Sequence, residues 1–199
     1  MHSKSADQPP HSLRRFLAVI ALAFAVTGVA RADTAPVVLE PDGEEFRIEL
    51  PGPVETHRSG AVSIYMWSDG ETQIAVQSIE DDEIESLPPE QALDAFAIGY
   101  ERSFATSSAQ VGDTARLRLV EAGMLDGYPM RTYAFQSDGR NGVVRMYVCR
   151  RHVYAVLAIG PDTSQETIAR SLSSMRLNAM DVNRAALRPE ARLTTDVAD

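Results

Sequence analysis

The chain has 199 residues, 19 of them basic and 28 acidic, for a net charge of −9, with a single cysteine. That balance repels nucleic acid and anionic membrane, whose binding begins with basic charge. The only lysine is Lys4, which excludes Schiff-base chemistry, a P-loop lysine and a lysine general base in the body of the chain. The lone Cys149 excludes an intrachain disulfide.

Residues 1–32 read as an export signal. Lys4, Arg14 and Arg15 precede the apolar run from Phe16 to Ala30, and Ala30-Arg31-Ala32 supplies a small-x-small cleavage site before Asp33. The run is shorter than the roughly 20 residues a spanning helix needs, so removal is expected rather than anchoring. Arg14-Arg15-Phe16-Leu17 lacks the spacer of a twin-arginine signal, and no cysteine follows the run to accept a lipid. Cleavage leaves 15 basic and 27 acidic residues, a charge of −12 on 167 residues, and a protein expected in the periplasm or secreted.

Residues 33–44 read as a flexible N-terminal segment with one weak strand, Val37-Val38-Leu39. Phe46-Arg47-Ile48-Glu49-Leu50 alternates at period two and is closed by Pro51-Gly52-Pro53. Val62, Ile64 and Met66 share one strand face and Tyr65 and Trp67 the other, and Asp69-Gly70 turns the chain into a second strand through Ile74 and Val76. The acidic run Glu80 to Glu85 reads as a solvated linker, since it lacks the glycine and ligand spacing of a calcium loop. After Pro88-Pro89, Leu93, Phe96, Ala97, Tyr100 and Phe104 form the apolar stripe of a helix.

Strands follow from Leu117 to Val120, Met130 to Phe135, Val143 to Cys149 and Val153 to Ile159, punctuated by Asp126-Gly127 and Ser137 to Gly142. Thr163 and Glu166 suggest a capping box opening a helix through Ile168, Leu172 and Met175. Residues 45–178 thus read as one α+β domain, an antiparallel β-sheet flanked by helices, and residues 179–199 as a frayed tail.

Phe46-Arg47-Ile48-Glu49-Leu50-Pro51, Leu125-Asp126-Gly127-Tyr128-Pro129, Arg145-Met146-Tyr147-Val148, Val153-Tyr154-Ala155-Val156-Leu157 and the helix from Ile168 to Met175 together resemble the PsbP-like group. The resemblance spans roughly residues 45–177 and implies an α/β/α sandwich. The group has no shared catalytic motif to transfer, and its better-known members act by binding other proteins. The chain departs from the group's lipoproteins in lacking a lipid-accepting cysteine.

Candidate chemistry is sparse. Cys149 and His152 flank a tight turn and form the nearest approach to a nucleophilic pair, without an evident orienting carboxylate or Asn. Only His57 and His152 follow the signal, and no HExxH or CxxC spacing exists, so no metal site, cofactor or catalytic residue is assigned. Arg131, Arg140, Arg145, Arg150 and Arg151, with His152, give a local basic bias, and Arg131, Arg145, Arg150, Arg151, His152 and Tyr147 are the candidate binding residues. Brought together, these residues would bind a small acidic ligand or another exported protein bidentately; otherwise they form an ordinary sheet face paired with acidic residues. Tyr65, Trp67, Tyr147 and Tyr154 strengthen the first reading if exposed and are core if buried. The expectation is an exported soluble binding or accessory module without catalysis, the alternative a periplasmic hydrolase using carboxylates or Cys149-His152.

Overall fold

The structure is a computed structural model that describes residues 35–108, 116–137 and 140–177. The proposed signal, residues 1–32, and the proposed tail, residues 179–199, lie outside the described residues. Ten strands and three α-helices are present among the described residues.

Seven strands form one antiparallel sheet. In chain order they are β3 (Glu55–Ser59), β4 (Val62–Ser68), β5 (Gln73–Glu80), β6 (Arg118–Leu125), β7 (Tyr128–Ser137), β8 (Arg140–Cys149) and β9 (His152–Gly160). Their spatial order is β3-β4-β5-β9-β8-β7-β6. Every neighbouring pair except β5-β9 is a hairpin. Asp126 and Gly127 both take positive φ, 51° and 86°, the conformation of a two-residue hairpin turn that twists with its strands. β9 lies at the centre, and all nine of its residues are buried. A strand covered on both faces must be apolar on both, which is why Val153 to Ile159 runs without alternation.

The period-two pattern sorts the rest of the sheet into two cores. One face collects Val62, Ile64, Met66, Tyr133, Val144, Met146 and Val148 under Leu93, Phe96 and Tyr100 of α2 (Pro89–Ser108). Leu93, Phe96, Ala97 and Tyr100 therefore dock as their spacing predicts, and the side chain of Phe104 lies outside the described residues. On the other face Tyr65, Ile74, Tyr147, Tyr154 and Val156 pack beneath Ile168 and Leu172 of α3 (Gln165–Ser174) and beneath Phe46, Ile48 and Leu50. The last three belong to β2 (Phe46–Leu50), the centre of a small antiparallel sheet with β1 (Val37–Leu39) and β10 (Arg176–Leu177). Strands dominate: the second face is covered by one helix sharing the work with a three-stranded sheet.

Val37–Leu39, read as a weak strand, pairs with Leu50 to Ile48 as β1. Three local readings change. The acidic run is not a linker: Asp81 accepts from the Glu83 N–H at 2.9 Å and caps a short helix, α1 (Asp82–Ser86). The Thr163–Glu166 capping box does not form, because a 3-10 turn, Asp162–Ser164, leads into α3 and puts Ser164 at the cap position. β3 is polar and exposed at every position, so it carries no apolar signal; pairing with β4 makes it a strand.

Candidate ligand-binding groove

The six residues expected to form one basic site are distributed over two faces and a turn. Arg131 stands on the α2 face of β7, where it is paired with Asp94 and with Glu90 at 2.8 Å. The hydrogen bond to Asp94, and after it one with Tyr133, raises its pKa further. Arg145 stands on the α3 face of β8, and its Nε donates to Thr132 Oγ1 at 2.8 Å and Nη2 to Glu121 at 3.1 Å. One-residue steps along neighbouring strands put Arg131 and Arg145 on opposite sides of the sheet.

Arg150 and Arg151 form the β8-β9 turn. Arg150 donates to Glu45 at 3.0 Å, and Arg151 reaches Glu80 at 2.8 Å. His152 is buried and stacks on Tyr154 with ring centroids 5.5 Å apart, its Nδ1 without a hydrogen-bond partner. Tyr65, Tyr147 and Tyr154 are buried and Trp67 is half-buried, so the aromatic residues are core, not interface anchors. Each of these four arginines is met by a carboxylate, Arg131 and Arg145 on the sheet faces and Arg150 and Arg151 at the turn.

Cys149 and His152 do face each other in register across the turn. The thiol, however, is fully buried and donates to Glu45 Oε2 at 3.1 Å, and burial together with that carboxylate pushes its pKa up to about 12. A nucleophilic cysteine requires the opposite shift. Among the described residues no group of three or more His, Cys, Asp or Glu is arranged to hold a metal ion.

A site that residue types alone did not indicate lies on the α3 face, toward the outer edge of the large sheet. α3 packs against β2 and β9 and leaves a groove of about 840 Å³ between its first turn and the strands β6 to β8, a size within the range that holds small ligands. Ala134 and Val143 are small enough to form its floor. Arg116 and Arg118 line one wall, Asp162 and Gln165 the other. Asp162 already accepts from Asn141 Nδ2 at 2.7 Å, whereas Arg116 and Arg118 are exposed and make no ion pair or hydrogen bond to any described side chain. The groove is therefore cationic on balance in an acidic protein.

A bulge shapes this wall. Arg118 pairs with Ala134 and Leu119 with Tyr133, but Glu121 pairs with Thr132, leaving Val120 as the extra residue. Arg118 and Glu121, three positions apart, thereby face the same side, where strict alternation would oppose them. Glu121 engages Arg145 and Thr132 beside the groove, and Arg118 remains free to meet a ligand. The sequence carries no sign of the bulge, since Leu119-Val120-Glu121 contains neither Gly nor Pro.

A seven-stranded antiparallel sheet with one long helix on one face, and a helix and small sheet on the other, defines a strand-dominated α+β protein. The chain has a PsbP-like fold. It is similar to the solution structure of cyanobacterial PsbP from Synechocystis sp. PCC 6803, at 13% identity and a TM-score of 0.51 over 77% of this chain and 98% of that one. A protein of unknown function from Pseudomonas aeruginosa matches at 10% identity and a TM-score of 0.36 over 71% of this chain and 96% of that one. No protein-family model and no curated protein matches the chain. At such identity the likeness concerns the fold and not the function. No helix among the described residues is long and apolar enough to cross a membrane.

Proposed function

We propose that the protein is an exported, non-catalytic binding module whose ligand carries an anionic group held by Arg116 and Arg118 in the groove beside α3. The observation that carries this reading is the pair of guanidinium groups without a partner among the described residues at a groove, where the four arginines first expected to form the site are each paired with a carboxylate. Arg131, Arg145, Arg150 and Arg151 each meet a carboxylate. A planar guanidinium fork matches a carboxylate or phosphate, and two of them select a ligand of at least two negative charges. Export is supported by the basic, apolar and small-x-small order of residues 1–32. The periplasm or the medium is then the place of action.

The test is titration calorimetry of the purified protein with citrate and with inorganic phosphate. Saturable binding that weakens at least about tenfold in Arg116→Gln/Arg118→Gln, a loss of one charge-assisted contact or more, supports the reading. Absence of binding, or binding indifferent to the double substitution, overturns it. Intact mass of the protein recovered from a periplasmic fraction tests export, with Asp33 expected as the first residue.

A further inference from the structure

The groove beside α3 carries charge of both signs on opposed walls. Arg116 and Arg118 stand on the β6 side and Asp162 and Gln165 on the α3 side, with Ala134 and Val143 between them. A relay of side-chain hydrogen bonds orients the Asp162 wall. Gln136 Nε2 donates to Asn141 Oδ1 at 3.1 Å, which turns the Asn141 amide so that its Nδ2 donates to Asp162 Oδ1 at 2.7 Å. Asp162 is thereby held at the groove, while its second oxygen, Oδ2, makes no hydrogen bond or ion pair to a described residue. Strand order sets the scale. Only β7 separates β6 from β8, so the backbones carrying Arg118 and Asn141 run about 10 Å apart. Side chains reach into that gap from both walls, and the space left between the charges suits a ligand the size of one or two amino-acid residues.

We propose that the ligand of this groove is an amino dicarboxylate, the chemistry of an acidic amino acid, with its carboxylates on Arg116 and Arg118 and its ammonium on Asp162. This rests on the reading of the groove as the anion site. Two guanidinium groups take two carboxylates through paired hydrogen bonds. Asp162 repels a ligand that is anionic throughout, and its open oxygen attracts a cationic donor. An ammonium placed there removes the repulsion and adds a charge-assisted hydrogen bond, whereas a hydroxyl supplies the hydrogen bond without the charge. The Gln165 amide on the same wall offers a second acceptor for the ammonium hydrogens. Ala134 and Val143, the apolar floor, receive the methylenes that join the charged ends.

The experiment is titration calorimetry of the purified protein, at one pH and ionic strength, with L-glutamate, α-hydroxyglutarate and glutarate. All three carry the same pair of carboxylates and differ in bearing an ammonium, a hydroxyl or a hydrogen on the carbon beside one of them. Glutamate is expected to bind about fivefold tighter than either analogue, the scale of one partly exposed ion pair. That preference is expected to vanish in Asp162→Asn, whose amide oxygen still accepts from Asn141, while Arg116→Gln/Arg118→Gln weakens all three ligands. An analogue that binds as tightly as glutamate, a preference that survives Asp162→Asn, or citrate or phosphate binding where glutamate does not, overturns the amine assignment and leaves the anion reading of the groove standing. Failure of all three ligands together with citrate and phosphate removes both readings.

Discussion

The Cys149 thiol donates its hydrogen to Glu45, a residue 104 positions earlier in the chain, and so ties the small sheet to the turn between β8 and β9. Burial and the neighbouring carboxylate move the thiol from its ordinary value of 9.0 to about 12. Such a shift leaves about a thousandfold less thiolate at neutral pH. Ellman's reagent at pH 8 is expected to label the native protein at the rate of global unfolding and the denatured protein at once. Fast stoichiometric labelling of the native form contradicts the geometry.

Alkali is expected to destabilise the fold. Cys149 and Tyr147 both titrate at about 12 in the folded protein, and burial raises Tyr100 and Tyr154 as well. The unfolded chain releases these protons near their ordinary values of 9.0 and 10.0, so above pH 9 the folded state binds more protons than the unfolded state. Stability from these groups is complete below about pH 9 and is lost progressively from there to about pH 12. The thermal midpoint is expected to be insensitive to these groups from pH 7 to 9 and to fall above it; a midpoint unchanged at pH 11 refutes the assignment.

Arg150 has φ of 53°, the left-handed region, while its guanidinium holds the buried Glu45 carboxylate. Backbone strain and ion pairing therefore act in opposite senses at one residue. Arg150→Ala keeps the strain and strands the Glu45 charge, at a cost of about 2–3 kcal/mol. Arg150→Gly removes both the pair and the strain, and is expected to be about 1 kcal/mol less harmful. Urea denaturation of the two variants checks the order.

Gly142 on β8 lies opposite Phe135 on β7, and the ring folds over it. A Cβ at position 142 would lie 2.3 Å from Phe135 Cζ. Phe135 is buried in the core beneath α2, so any shift of the ring disturbs its packing there. Gly142→Ala is expected to cost about 1–3 kcal/mol, measurable as a lowered denaturation midpoint, although a strand Gly→Ala change is otherwise favourable.

The Tyr147 hydroxyl is buried without a hydrogen-bond partner, while its ring is fully enclosed in the core under α3. Removing an unpartnered buried hydroxyl relieves a desolvation cost of about 1 kcal/mol. Tyr147→Phe is expected to leave stability unchanged or raised by up to that amount; a loss of more than about 1 kcal/mol would falsify the assignment of an idle hydroxyl.

Much of the scaffold was legible because it rests on local periodicity. Alternation at Phe46 to Leu50 and Val62 to Trp67 sorts side chains to the two cores without tertiary information, and Asp126-Gly127 names its own turn. The α2 stripe needs only helical spacing. β3 escaped because Glu55 to Ser59 owes its conformation to a neighbour and not to burial. The Arg150 turn has neither Gly nor Asn to announce its positive φ, and the partner of its guanidinium, Glu45, lies more than 100 residues away in sequence.

The candidate site depended on relationships that periodicity does not contain. Residue types alone gathered Arg131, Arg145 and Arg150 into one patch; register put Arg131 and Arg145 on opposite faces, and acidic partners from distant elements neutralised each. Arg116 and Arg118 drew no notice in the chain, and became candidates because a bulge and the limited reach of α3 left them beside a groove. The sequence by itself determined an acidic, lysine-poor α+β chain, its hairpins and the inward face of each strand, since these follow from side-chain alternation and turn chemistry. Which charges are spent and which remain free was decided only by the tertiary structure, because ion pairing depends on distances between segments that local sequence does not encode.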